Sequence, residues 1–175
     1  MSKSGRACWL DTGHANDISC LFQDWRQLYS DYKYFLIGCL DSDRKPENSK
    51  ILQHVLNSTN GYWQITSAGA WLSTQVMAKV ASIELLFYGF DEVWCFSGEI
   101  CPDNIPLILT SDQPIYQQPN DLIRTTYEWM LRYDVGFGCG DGIGINVISP
   151  HLDIFNGVVN ELGINAENQR KCIIC

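Results

Sequence analysis

Three short stretches set acids and hydroxyls where carboxylate chemistry would need them. "FLIGCLDSD" (35–43) runs an apolar segment into Asp41 and Asp43, and "IPLILTSD" (105–112) is a second apolar segment reaching Thr110. "FGCGDGIGIN" (137–146) sets Asp141 among glycines. Carboxylates gathered at strand ends make an oxygen-rich magnesium site, and the metal shields an attacking carboxylate from phosphate. A purely structural reading of the third stretch competes with the chemical one. Gly136, Gly138, Gly140, Gly142 and Gly144 alternate strictly, which is not the G-x-G-x-x-G spacing of a dinucleotide loop, and no Gly-Lys-Ser/Thr occurs in the chain. Asp141-Gly142 between extended residues is a hairpin-turn signal, and alternating glycines leave one strand face bare for close approach of another backbone.

Taken in order, Asp41-x-Asp43, Thr110 and Gly140-Asp141-Gly142 resemble motifs of the haloacid-dehalogenase-like phosphatases. The resemblance implies Asp41 as the nucleophile, Asp43 as acid/base, Thr110 as the grip on the phosphoryl group, and Asp41, Asp43 and Asp141 as magnesium ligands. The chain departs from that pattern at two places. Lys45 stands where the family has a Thr, and no Lys lies between Thr110 and Asp141, only Arg124 and Arg132.

Cysteine chemistry offers other candidates. "ACWLDTG" (7–13) places a Trp after Cys8, as at the nucleophile of papain-like peptidases, where a helix N-terminus activates the thiol. His151 and Asp153 would be base and orienter of such a cysteine hydrolase. Gly13, however, interrupts any helix directly after Cys8. "LDTG" (10–13) copies an aspartic-protease triplet, in a chain too helical for that all-β fold. Cys172-x-x-Cys175 is half a zinc site, with Cys95 and Cys101 as the nearest second half, and the same four residues fit the C-a-a-X lipidation pattern with Cys172 as acceptor. A lipid there would give only a weak anchor, and only in a eukaryotic cell.

The elements that must position these groups follow from composition and period. The 175 residues are 46% hydrophobic and 18% charged, with six Trp, eight Tyr and seven Phe, which excludes a disordered chain and suits one globular domain over 1–175. A net charge of −8 argues against nucleic acid and favours basic protein partners or cations. The most apolar stretch, 70–90, carries Lys79 and Glu84 and reads as a buried helix, not a membrane span. With no export signal, the eight cysteines read as reduced thiols in a cytoplasmic protein.

Apolar spacing predicts helices over 18–32, with Asn16 as cap, around 51–56, over 68–87, from Asn120 onward, and from Leu152 to a stop at Gly163. Strands are predicted at 34–40, 61–65, 91–96, 105–110 and 144–148. About five short strands and five helices without strict alternation point to an α+β fold, a mixed sheet covered by helices, with a doubly wound α/β sheet as the alternative. The segment 164–175 is expected to be a flexible tail.

These readings converge on a soluble binding protein that acts on another protein, as an inhibitor, immunity protein or adaptor, with no cofactor and no chemistry of its own. The alternatives are a magnesium-dependent phosphohydrolase and a cysteine hydrolase using Cys8.

Overall fold

The computed structural model describes residues 5–11, 21–22, 28–38, 49–83, 92–106, 108–109, 113–141, 144–162 and 169–174. Its centre is one eight-stranded sheet: β1 (Arg6–Asp11), β2 (Tyr34–Gly38), β3 (Trp63–Thr66), β4 (Gly69–Ser73), β5 (Glu92–Phe96), β6 (Val135–Asp141), β7 (Gly144–Ser149) and β8 (Gln169–Ile174). The spatial order is β3-β4-β2-β5-β6-β7-β1-β8, and every neighbouring pair is antiparallel. The α+β class therefore holds. The doubly wound alternative does not, because its sheet would be parallel.

Helices cover both faces. On one side lie α1 (Leu28–Asp31), α2 (Lys50–Ser58), α3 (Thr74–Ser82) and α5 (Leu152–Glu161), burying Leu28, Leu52, Val76, Val80, Phe155 and Val158 against Phe35, Ile37, Val93, Cys95 and Phe137. On the other side α4 (Asn120–Arg132), the 3₁₀ turn Ile115–Gln117 and Ile108–Leu109 pack on Leu36, Trp71, Trp94, Phe96 and Ile148. Double coverage explains why β2, β5 and β7 are apolar at successive positions, where a one-faced sheet would alternate.

Among the described residues the counts differ from the sequence expectation: eight strands stand where five were expected, and besides the helical Leu21 and Phe22 there are four helices of nine or more residues and the single turn α1. The predicted helix over 68–87 is the largest discrepancy, since residues 69–73 are β4 and the helix starts only at Thr74. Ser67 and Ala68 turn the chain back between Thr66 and Gly69, and Gly69 sits at φ +136 where a Cβ would strike the Ile37 carbonyl. The spacing Leu72, Val76, Val80 suits a helix, but Ala70, Trp71 and Leu72 are buried on both sides of the sheet, as only a central strand allows.

Other boundaries shifted less. The helix stripe over 18–32 survives in Leu21, Phe22 and α1, while Asn16 lies outside the described residues. In α2, capped by the Ser49 hydroxyl accepting from the Leu52 N–H at 3.2 Å, the inward face is Leu52, Val55 and Leu56, and Ile51 is 63% exposed. Within the expected strand 105–110, the described residues form no strand, and Ile108 and Leu109 pack as a turn over the sheet. The tail expected to be flexible contributes β8, whose backbone pairs with β1 at the sheet edge.

The glycine stretch is a hairpin, as its turn signal indicated, with Asp141 opposite Ile145. Gly140 and Asp141 are strand residues rather than turn residues, and Gly142 lies outside the described residues. The bare face of β6 receives aromatic rings. A Cβ on Gly138 would overlap Trp94, and one on Gly136 would overlap Tyr32. Gly136 is also the extra residue of a β-bulge: Phe96 faces Val135 while Cys95 faces Phe137. The bulge moves Gly136 and Gly138 to opposite faces, and the Ser149 hydroxyl bonds the Gly136 carbonyl.

Gly138→Val should therefore destabilise the fold by about 1–3 kcal/mol through forced displacement of Trp94 and Leu109. Urea unfolding measures this, and an unchanged midpoint would show that the rings have room to spare.

Candidate functional site

The expected strand-end site is only partly visible. Asp41, Asp43 and Thr110 lie outside the described residues, and Asp141 is the last residue of β6. Gly38, the last residue of β2, does lie at the same sheet end as Asp141, because Gly38 faces Glu92 and Glu92 faces Gly140. Glu92 was missed in the sequence. It is 0% exposed, the Trp94 indole donates to it at 3.4 Å, and a Cβ on Gly38 would overlap its carboxylate. The signal available was an acid opening an otherwise apolar strand, which reads equally well as a solvated strand end.

Cys8 does not suit the hydrolase reading. It lies in the middle of β1, 0% exposed and packed in the core, far in character from a helix N-terminus open to substrate. His151 is exposed at the N-cap of α5, and His54 is exposed on α2. Of the zinc candidates, Cys95 is buried in β5, where burial and then the neighbouring Cys139 push its thiol well above the usual range. Cys101 is half-buried, its thiol raised chiefly by desolvation. Of the lipidation tetrapeptide, Cys172, Ile173 and Ile174 lie in β8, and Cys175 lies outside the described residues. Among the described residues no three His, Cys, Asp or Glu side chains are placed to hold a metal ion.

A site that sequence reading did not assemble lies between α1 and α5. Asp153, Ile154, Gly157, Asn160 and Glu161 recur at helical spacing and share the flank of α5 not used by Phe155, Val158 and Val159. With Asp31 and Tyr32 they line a cleft of about 350 Å³. Three carboxylates face it, and the described lining contains no lysine or arginine. Glu161 stands in the last turn of α5, where the helix dipole is negative, which deepens the potential.

Tyr32 forms the inner wall and is only 5% exposed. Its N–H bonds the Leu28 carbonyl at 3.1 Å and its carbonyl accepts from the Thr74 hydroxyl at 3.1 Å. The ring meets Phe137 edge-on at 5.5 Å and occupies the space left by Gly136. Ser30 donates to Asp31 at 3.2 Å, holding that carboxylate at the rim. Burial, then Cys95, Asp31, Asp153 and Asp134, push the Tyr32 hydroxyl far above its ordinary ionisation range. Asp134 reaches this region from a corner at φ 55, where Ser97 bonds both its carbonyl and its carboxylate.

The raised pKa carries a sign. The unfolded chain ionises Tyr32 near its ordinary value of 10.0, whereas the folded chain keeps the proton. Stability is thus fully present below pH 10.0 and falls as pH rises past it. The unfolding midpoint should drop more steeply there in wild type than in Tyr32→Phe. Parallel curves would show that the phenol is not held neutral by its surroundings.

Compared with family models, with curated proteins and with solved structures, the chain matches none.

Proposed function

We propose that this is a binding protein that acts through contact with another protein, of inhibitor, immunity or adaptor type, with no chemistry of its own. The observation that carries the reading is the acidic cleft between α1 and α5, exposed at Asp31, Asp153 and Glu161 in a chain of net charge −8. Such a field speeds encounter with a basic surface and rejects acidic partners. The cytoplasm is the proposed compartment. Cys8, Cys95, Cys101 and Cys139, none of them in a disulfide, suit it, and no helix among the described residues is long and apolar enough to cross a membrane.

Affinity purification from the source cells tests the reading, comparing wild type with a variant carrying Asp153→Lys and Glu161→Lys. Both positions are exposed, so the variant should fold. A basic protein should be retained in stoichiometric amount by wild type, weaken with added salt, and be lost from the variant. Equal recovery by both would end the role of this face.

A second reading, the magnesium-dependent phosphohydrolase, is favoured by the row Gly38, Glu92, Gly140, which brings the end of β2 and Asp141 to one sheet end. Asp41, Asp43 and Asp141 would hold the metal, which would neutralise phosphate charge beside the attacking carboxylate, and Thr110 would bind the phosphoryl group. On this reading p-nitrophenyl phosphate is hydrolysed only with magnesium, and Asp41→Asn abolishes turnover. No turnover in wild type would dismiss it.

A further inference from the structure

The two edges of the sheet differ in how they meet solvent. β8 carries Arg170 and Lys171, and its pairing with β1 breaks at a bulge, features that discourage a further strand from adding there. β3, with the sequence Trp63-Gln64-Ile65-Thr66, has no charge, no proline and no bulge in its pairing with β4. Among the described residues no strand lies on its outer side. An edge of this kind is a template for another strand.

Charge sets the same end of the molecule apart and says what the strand belongs to. Residues 48–83, which form α2, β3, β4 and α3, contain none of the chain's 20 Asp and Glu, and their only formal charges are Lys50 and Lys79. Asp103 comes up to this end at the β3–β4 turn, where its carbonyl accepts from the Ser67 hydroxyl at 2.8 Å. Two copies of a chain with net charge −8 repel, least so through a surface made of an acid-free segment. A basic partner, by contrast, is drawn to the carboxylates elsewhere on the molecule. The backbone fixes the register. Ser67-Ala68 close a two-residue turn between Thr66 and Gly69, and the Ser73 N–H donates to the Tyr62 carbonyl at 2.9 Å. Alternation then aims the backbone groups of Tyr62, Gln64 and Thr66 at β4, and those of Trp63 and Ile65 outward.

We propose that β3 pairs with β3 of a second copy of this chain, antiparallel about a two-fold axis at Gln64, so that two sheets become one. Trp63 then lies opposite the partner subunit's Ile65, and each such pair exchanges both of its backbone bonds. Trp63 and Ile65 are half-buried against the core beneath α2 and α3, and the aromatic and β-branched side chains cover each other's remaining area across the axis. On the other face Gln64 meets its own copy, flanked by Tyr62, which is 48% exposed. The dimer goes beyond the binding reading and leaves the acidic cleft open, because α5 packs on β6 and β7, beyond β4, β2 and β5 from this edge.

The test is sedimentation equilibrium of the full chain over a concentration series, beside amide hydrogen exchange at Trp63 and Ile65. Wild type should dimerise with a Kd on the order of tens of micromolar, as suits a small transient interface, and exchange at the two amides should slow as dimer forms. Gln64 is exposed, and the Tyr62 hydroxyl donates to its Oε1 at 2.6 Å. Gln64→Glu keeps an oxygen for that bond, so the fold stays intact, yet it sets like charges opposite each other at the axis. Dimerisation should weaken about tenfold or more at low salt, and Gln64→Lys should act in the same way. An equimolar mixture of the two variants brings opposite charges together and should recover affinity to within about threefold of wild type.

A chain that stays monomeric throughout the series overturns the proposal, whether the edge is left to another protein's strand or covered within the chain. Dimerisation untouched by both Gln64 variants, or unrestored by mixing them, overturns β3 as the interface. Amides of Trp63 and Ile65 protected to the same degree in monomer and dimer overturn the pairing. Weakening by each variant alone, recovery in the mixture and concentration-dependent protection together support it.

Discussion

At Gly136 and Gly138 the strand β6 carries no side chain, and two rings fill the space. Tyr32 lies over Gly136 on one face of the sheet, and Trp94 lies over Gly138 on the other. The change of face between them needs the bulge at Gly136, and the bulge needs a partner for its carbonyl, which Ser149 supplies from β7. One local irregularity thus ties three strands to the packing of both layers. Had β6 carried ordinary side chains, neither ring would sit where it does, and the helices resting on those rings would stand further from the sheet.

The two layers use this arrangement differently. On the face of α4, aromatic rings form a continuous cluster: Tyr34 stacks on Trp71 at 5.3 Å, Trp71 meets Phe96 at 4.5 Å, and Trp129 meets Trp94 at 5.0 Å. Large rings bury much area at little entropic cost, and the Trp129 N–H is satisfied by the Asn104 carbonyl at 3.1 Å. On the face of α5 the core is mostly aliphatic, and it opens at its rim into the cleft that Tyr32 closes from inside. The acidic groups there come from α1, from α5 and from the corner before β6, and they share no sequence neighbourhood. Their mutual repulsion is tolerated because Asp31, Asp134, Asp153 and Glu161 remain exposed, where water screens them.

Period and turn chemistry were legible where one structure alone satisfied them. β2 and β5 read as buried strands because β-branched and aromatic residues run without interruption, α4 and α5 as helices because one face is apolar, and β6–β7 as a hairpin because Asp-Gly permits tight reversal. The failures came where two periods fitted at once. Ala70 to Val80 satisfies helical spacing along its whole length, and only the burial of Trp71 beside Tyr34 and Phe96 shows that the first part must be a strand. β1 and β8 carry mixed polarity, and their pairing is set by partners far away in the chain.

By itself, then, the sequence determined an acidic, aromatic-rich α+β protein with a glycine hairpin, because composition, charge and local conformational preference act within a few residues. Only tertiary structure decided what the glycines are for and where the acids gather. Tyr32 and Gly136 stand about a hundred positions apart, and Asp31 and Glu161 further still. No local preference couples them. Their meeting follows from strand order and from the fit of a ring into space that a missing side chain leaves open, and such a fit exists only once the sheet is assembled.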